Sequence, residues 1–461
     1  MNSPLIVRSI FVGLTVGLVC LTGCPAPTDN GAKAPTDSAI PDTGASTESA
    51  PADATPAAPA AAATAKAEDV QAAKALLDGI AGATCKLLPG DVLTEIAVQD
   101  GSTLSPENIA LFGRLTDLEI LEIYNYRELN DDMAAGLAGL GKLKSLAMTN
   151  STIGDPTVEM VAASFPNLTA LDLSSNVNMT NGALKVICQL TKLERLLLVQ
   201  NRFNDLGTGY LQNLQELRVL DLRGNMEASD MTLEIVGTLP KLAAFKHRST
   251  AVTDYGIECL VFKNRSDAAT EEEMQRLTPN ATLKALLMQD FIITGQAGPS
   301  LAQLSNLQEL EIFRCQQFGS DGVLALKGMK LTRLTLRDLP MVDDQATEVF
   351  TDLPQLKRLY LHELESLSDS GLENLKSLNS LELLDIWTVP QMTDATVDVI
   401  ASLPNLKELS IRTTGVTDAA VDKILAMPKL ESLTFKDNAA ITEEGIKKLS
   451  GKKWKKLDTG N

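Results

Sequence analysis

The chain has 461 residues, of which 44% are hydrophobic and only 4% aromatic, enough for a sizeable core but one built from Leu, Ile and Val. Its formal net charge of −18 argues against general nucleic-acid binding, which needs a basic face to displace counterions, and favours solubility instead. Length alone suggests two or three domains, but the sequence is self-similar, and a repeat period takes precedence over division by length.

The first residues combine Arg8, an apolar run over residues 10–19 and the closing Leu21-Thr22-Gly23-Cys24. The run is too short to cross a bilayer as a helix, so residues 1–23 read as a secretory signal that is removed. Leu21 to Cys24 resembles the bacterial lipobox, a short apolar residue, two small ones and a Cys. The resemblance implies that Cys24 is lipidated, becomes the new N-terminus and holds the protein on a membrane in the cell envelope, periplasmic or at the cell surface. Cys20 fits the pattern worse, because Val19 stands where a small residue is needed. The alternative is an ordinary signal peptide that happens to end in Cys. Residues 25–66 are Ala, Pro, Thr and Asp with almost nothing large to bury, and are expected to stay disordered. Residues 24–66 thus read as a lipid-bearing tether, about 140 Å long if fully extended and about 35 Å on average as a flexible coil.

From Ala67 the composition changes, and Val70, Ala73, Leu76, Leu77 and Ile80 are spaced for an amphipathic helix ending near residues 79–82. Residues 67–92 are expected to cap the open N-terminal end of a repeat array. A unit of 24 or 25 residues recurs over residues 93–461, starting at Leu93, Leu118, Leu143, Leu168, Leu193, Leu217, Leu242, Leu283, Leu307, Leu331, Leu356, Leu381, Leu406 and Leu430. In the thirteenth unit, Leu406, Leu409 and Ile411 follow L-x-x-L-x-L, which places two apolar side chains on one face of a short strand, with Glu408, Ser410 and Arg412 pointing the other way. Thr417-Asp418 supplies a hydroxyl for an N-cap and a carboxylate for the positive end of a helix dipole. Val421, Ile424 and Leu425 form an apolar helical stripe, and Pro428 arrives where the helix must have ended. Strand, turn, helix and return make one coil of a solenoid. Between Leu242 and Leu283 the spacing is 41, and the extra residues, near 264–280, contain Thr270 and Glu273 in a capping box that predicts a short added helix.

The units resemble leucine-rich repeats of the kind in which a Cys, Thr or Asn follows the strand and a T-D-x-G-L-like phrase starts a helix. Thr253-Asp254-Tyr255-Gly256-Ile257, Ser320-Asp321-Gly322-Val323 and Ser368-Asp369-Ser370-Gly371-Leu372 carry the phrase, as do the dipeptides Thr393-Asp394, Thr417-Asp418 and Thr442-Glu443. Asn130-Asp131, Gly154-Asp155 and Asn204-Asp205 replace it in the first six repeats, which predicts shorter helices, or another type, there. The resemblance implies an α/β fold, a leucine-rich-repeat solenoid curved as a right-handed superhelix, with a parallel sheet on the concave side and helices on the convex side. Fourteen strands at about 4.8 Å would make a sheet about 65 Å long. With the lipobox, the chain resembles secreted bacterial leucine-rich-repeat lipoproteins. Relatives of this repeat type that join an F-box are a poor analogy, because residues 67–92 are too few for such a domain and the signal directs the chain out of the cytoplasm. The tail, with Lys447, Lys448, Lys452, Lys453, Lys455, Lys456 and Trp454, reads as a partial fifteenth repeat whose charge blunts the exposed sheet edge, or as a contact for an anionic lipid or polymer.

Enzyme motifs are poor. Residues 136–142 copy a phosphate-loop spacing, but Leu143 stands where Ser or Thr should bind magnesium, and the segment runs from helix into strand. His247 and His362 are four repeats apart and cannot share a metal. His247 falls at an inward strand position, and His362-Glu363 lacks the second His of a zinc-peptidase helix. Cys85, Cys188, Cys259 and Cys315 read as buried free thiols, and no cofactor is implied.

One constellation stands out on the predicted concave face. The seventh positions of successive repeats carry Phe313, Arg337, His362, Trp387 and Arg412, with Arg333, Arg358 and Tyr360 beside them. Aromatic and Arg side chains are the types in which interfaces concentrate their energy. Over repeats nine to fourteen, Arg333, Arg337, Arg358, Arg412 and Lys436 stand against Glu309, Glu311, Asp385 and Glu408, a local excess of one positive charge on an acidic chain. Two readings remain open, a binding patch for a protein or peptide and a ladder of side chains stacked on one another. At the level of the whole chain the expectation is a non-enzymatic binding protein, with a structural envelope protein or a carbohydrate binder or enzyme with an unrecognised site as alternatives.

Overall fold

A computed structural model describes residues 65–267 and 270–460. The signal segment, Cys24 and nearly all of the tether lie outside the described residues. Sixteen strands form one open sheet in strict chain order. They are β1 (Thr84–Leu88), β2 (Val92–Val98), β3 (Ile120–Ile123), β4 (Ser145–Met148), β5 (Ala170–Asp172), β6 (Arg195–Leu197), β7 (Val219–Asp221), β8 (Ala244–Arg248), β9 (Ala285–Gln289), β10 (Glu309–Phe313), β11 (Arg333–Arg337), β12 (Arg358–His362), β13 (Leu383–Val389), β14 (Glu408–Thr414), β15 (Ser432–Lys436) and β16 (Lys456–Asp458). Strands β2 to β15 belong to the fourteen repeats. All pairs are parallel except β1 with β2, an antiparallel hairpin. A helix or 3-10 turn follows nearly every strand, so the architecture is the α/β solenoid that the repeat spacing implies.

Within a repeat, burial follows the period of two. Leu406, Leu409 and Ile411 are buried, whereas Glu408 is exposed and Ser410 and Arg412 are half-buried on the open face. The apolar positions of all repeats join one continuous core running from Val70 to Leu449. The residue at position eight then turns the chain off the sheet by adopting the left-handed region, at Asp290 (φ 61°), Arg314 (52°), Asp338 (51°), Glu363 (54°), Thr388 (53°) and Thr413 (53°). At position nine four repeats carry a buried Asn that pins the turn, Asn176, Asn201, Asn225 and Asn438. Asn176 donates to the carbonyls of Met148 (2.7 Å) and Leu173 (3.0 Å), and Asn438 accepts from the amide and hydroxyl of Thr414 (3.0 and 2.9 Å). Cys315 fills the same position as a buried thiol 3.6 Å from the Phe313 carbonyl.

The Thr-Asp phrase does more than cap its own helix. In most repeats the Asp turns its two oxygens to the next repeat: Asp155 accepts from the amide and hydroxyl of Thr180 (2.8 and 2.5 Å), Asp230 from Thr253 (2.8 and 2.6 Å), Asp369 from Thr393 (2.9 and 2.6 Å) and Asp394 from Thr417 (2.8 and 2.5 Å), whereas at Ser320-Asp321 the link is made by the Ser320 hydroxyl with Asp343 (2.6 Å). The Thr hydroxyl in turn accepts from an amide of the first helical turn, as Thr253 does from Tyr255 (3.2 Å). The glycine of the phrase is required by this contact, since a Cβ at Gly256 would stand 2.2 Å from Asp230 Oδ1 and one at Gly445 2.2 Å from Asp418 Oδ1. The expected contrast in helix length between the first six repeats and the rest is not found. The longest repeat helix, Asp155–Ser164, lies in the third repeat, while Ser320–Leu324 and Asp369–Leu372 are among the shortest. The Asp-to-Thr link needs only the first turn, so the remainder of each helix is free to vary.

At the N-terminal end, helix Ala67–Asp78 buries Val70, Ala73 and Leu77 and stops at Gly79. Arg114 pairs with Asp69 (2.9 Å), tying this helix to the first repeat. The hairpin strand β1 was not visible in the hydrophobic spacing, and it leaves Cys85 half-buried. Cys188, Cys259 and Cys315 are buried and free, and burial pushes the Cys188 and Cys315 thiols up to about 12. The extra residues between repeats seven and eight form a 3-10 turn, Arg265–Asp267, and helix Glu271–Gln275 with the Thr270–Glu273 capping box in place. They leave the array uninterrupted: β8 and β9 pair in full register, and Asp254 reaches Thr294 across the gap (2.8 and 2.7 Å). At the other end β16 adds a partial fifteenth repeat. Trp454 donates to the Leu449 carbonyl (2.8 Å), Lys452 lies 4.5 Å over its ring, and Lys436 pairs with Asp458 (2.9 Å).

Candidate functional site

Strands β10 to β14 bring the sequence-selected side chains together in two rows on the open face. Register pairs Phe313 with Arg337, Arg337 with His362, His362 with Trp387, and Trp387 with Arg412; Arg412 pairs with Lys436 in β15. Two positions before Tyr360 and four before His362, Arg333 runs beside Arg358, and between the rows Tyr360 lies beside Asp385. Nothing in this arrangement depends on loop conformation, because the strand alternation alone points positions three, five and seven to one side.

The side chains stack on one another. The Arg337 guanidinium lies 4.3 Å from the Phe313 ring and 5.2 Å from the Trp387 ring, and Arg412 lies 5.1 Å from Trp387. Arg333 sits 4.9 Å over Tyr360. His362 meets both Tyr360 (5.9 Å) and Trp387 (5.7 Å) edge to face. Arg412 grips Asp385 with one nitrogen at 3.0 and 3.1 Å from its two oxygens. Burial pushes the Asp385 carboxyl up, but His362 and Arg412 more than offset it and hold it below the ordinary carboxylate range. Burial also pushes Tyr360 up, against the pull of Arg333 and Arg358. Arg358 is the exception in the set: it is exposed and has no ion-pair partner among the described residues.

Sequence reasoning missed the residues that turn off the sheet just beyond the column. Glu363 pairs with Arg337 (3.2 Å), Arg314 lies 4.5 Å over Phe313, and Asp290 is clamped between Arg314 (2.6 Å) and Arg248. Asp290, Arg314 and Glu363 are at position eight, where the left-handed backbone swings the side chain back over the face; the sign in the sequence is a charged residue directly after position seven. Thr335, between the rows, was also missed. A second cluster, Glu122, Tyr124 and Asp172 on and beside β3 to β5, has both carboxyls pushed up by burial, with Arg195 acting against the shift. Its signal was only a pair of acids at position five, two repeats apart.

The weak enzyme motifs resolve into structural parts. Residues 136–142 link helix Asp131–Ala135 to β4, and Lys142 pairs with Asp117 (2.6 Å). His247 is fully buried, its ring nitrogens 3.2 and 3.0 Å from the carbonyls of Leu222 and Ala228. Among the described residues no group of three His, Cys, Asp or Glu side chains could hold a metal ion.

A family model described as a leucine-rich repeat region matches residues 151–459. No curated protein sequence matches the chain. Several solved structures are similar to the chain. An internalin of Listeria monocytogenes is 17% identical over 86% of this chain and 95% of its own, with a TM-score of 0.47. Rad7, solved with Elc1 from yeast, is 16% identical over 79% and 86% with a TM-score of 0.50, and a repeat protein of Leptospira interrogans is 20% identical over 81% and 93% with a TM-score of 0.45.

Proposed function

Because the chain belongs to the leucine-rich-repeat family, we propose that it binds a protein or peptide along the open face of its sheet, with Phe313, Arg333, Arg337, Arg358, Tyr360, His362, Trp387 and Arg412 as the contact centre. The repeat family commonly serves protein–protein interaction, and Rad7, similar in fold, is found in complex with a protein, Elc1. The observation that carries the reading is the half-buried Arg and aromatic surface on β10 to β14, a composition that concentrates interface energy. The proposal includes extracytoplasmic placement, with a lipid on Cys24 as the anchor and residues 25–66 as the spacer between membrane and array. No enzymatic step is assigned.

The stacking of all these side chains except Arg358 favours the ladder reading as a rival, since side chains that hold one another need no ligand to order them. Affinity capture from an envelope extract separates the two, using wild type and Arg358→Glu as baits. Arg358 lies outside the stack, so its reversal leaves the ladder in place; a partner retained by wild type and lost from the variant supports the binding surface. Equal capture by both baits would sink it.

A further inference from the structure

Among the described residues, four buried side-chain polar atoms have no hydrogen-bond partner: Glu309 Oε2, Thr335 Oγ1, Arg337 Nε and His362 Nε2. All four belong to open-face positions of three adjacent strands, β10, β11 and β12. Thr335 is only 5% exposed. Buried polar groups are paired almost without exception in folded proteins, so four orphans on one diagonal of one face ask for a partner molecule rather than for four separate accidents.

The orphans differ in what they lack. Glu309 Oε2 is an acceptor without a donor, and Glu311 stands two residues further on the same face, where it faces the charges of Arg223 and Lys246. Arg333, the neighbour of Glu309 on β11, lies over the Tyr360 ring of β12. Arg337 Nε is a donor without an acceptor, its Nη2 being taken by Glu363 at 3.2 Å. His362 Nε2 lies 3.4 Å from Asp385 Oδ2, close enough to help hold that carboxyl down but outside hydrogen-bond geometry, and Asp385 is also held by Arg412. Thr335 Oγ1, between the two ends, can donate or accept. From Glu309 to Arg337 and His362 the diagonal runs four positions along the strands and one or two strands across, about 14–16 Å at ordinary strand spacings. An extended chain covers that distance in about four or five residues.

We propose that this diagonal seats an extended peptide segment of a partner protein that places a Lys or Arg over Glu309 and an Asp or Glu, four or five residues away, over Arg337 and His362. The inference rests on the reading of the sheet face as a binding surface and adds the chemistry and polarity of what binds there. A sugar is a poorer occupant, because the ring faces it would stack on are covered, Tyr360 by Arg333 and Trp387 by Arg337 and Arg412. A polyanion is a poorer one too, since Arg337 and Arg412 are already engaged by Glu363 and Asp385, and Glu309 and Glu311 stand on the same face.

The test is selection of a random heptapeptide library, displayed on phage, against the intact chain and against Glu309→Gln and Arg337→Gln. Wild type is expected to enrich peptides with a basic and an acidic residue four or five positions apart. Glu309→Gln, which is isosteric, should lose the basic preference and keep the acidic one, and Arg337→Gln the reverse, each binding a wild-type-selected peptide at least about tenfold more weakly. Melting curves of both variants show whether the face is intact; if Arg337→Gln unfolds, His362→Gln takes its place at the acidic-peptide end. No enrichment, enrichment lacking either charge, or preferences unmoved by the variants would overturn the proposal. A partner whose binding falls with Arg358→Glu but not with Glu309→Gln would leave the sheet-face reading standing and remove this one, whereas a partner indifferent to both removes both.

Discussion

Asp205 offers the sharpest test of how the repeats are fastened together. Its carboxylate accepts from the amide and hydroxyl of Ser229 (2.8 and 2.5 Å) and from the amide and hydroxyl of Thr232 (3.2 and 2.7 Å), all in the next repeat. Hydrogen bonds to a charged group contribute about 1.5–3 kcal/mol each, but four on one half-exposed carboxylate are not additive, and Thr232 keeps its bond to Thr208 (2.6 Å). Asp205→Ala is therefore expected to cost about 2–4 kcal/mol in urea unfolding. Burial pushes the Asp205 carboxyl up, yet the Ser229 and Thr232 bonds outweigh it and leave the group below its ordinary value. A folded-state pKa below the unfolded one gives stability that is fully present above about pH 4 and is lost as pH falls through the depressed value. The difference between wild type and variant should thus shrink in acid. The neighbouring repeat provides a further control: Asn181 and Asn204 make the same link with amides, Asn181 donating to Asn204 Oδ1 (2.7 Å) and accepting from its backbone amide (3.3 Å). Asp205→Asn alone should destabilise, and adding Ser229→Asn should recover part of the loss. A cost for Asp205→Ala below about 0.5 kcal/mol, the range of ordinary surface substitutions, or one independent of pH would refute the reasoning.

Four further outcomes are expected. Trp387→Ala removes two cation–π contacts and one edge-to-face pair, so the melting temperature should fall by an amount corresponding to about 1.5–3 kcal/mol; an unchanged melt would show that the stack is not formed in solution. Deleting residues 264–280 with the repeat spacing restored to about 25 should leave a folded array and lower the melting temperature only slightly, because β8 and β9 pair directly with each other and the insertion contributes no strand between them. A large drop would mean that the insertion supports the core. Cys24→Ser should move the protein from the membrane fraction to the soluble one without changing its melt, and retention after a carbonate wash would count against lipidation. Truncation before β16 should expose the edge of β15 and raise the aggregation rate measured by light scattering, with an unaltered rate showing that the tail protects nothing.

The solenoid was legible because each repeat restates the same period: Leu406, Leu409 and Ile411 specify a buried strand face alone, and thirteen further copies leave no competing register. The same logic found the column from Phe313 to Arg412, since strand alternation and a constant repeat length fix which side chains are lateral neighbours. Three features escaped for identifiable reasons. β1 carries no leucine pattern, and its half-exposed hairpin is decided by pairing with β2 rather than by hydrophobic spacing. The Asp carboxylates were assigned to their own helix ends because local rules see only local partners, while their strongest bonds reach the next repeat. The rim residues Asp290, Arg314 and Glu363 depend on a left-handed backbone at position eight, which hydrophobic spacing does not report and which only a charged residue after position seven hints at.

The most direct test of the binding surface is photo-crosslinking in intact cells from a reactive side chain placed at Arg358, which is exposed on the face and outside the stack, compared with one at Leu206, exposed at 79% on a repeat helix. The expected result is a discrete crosslinked protein from position 358, absent from position 206 and lost when Glu309→Gln and Arg337→Gln are combined in the same chain. Crosslinks from position 206 alone, or none from 358 while the protein is folded and correctly placed, would contradict it.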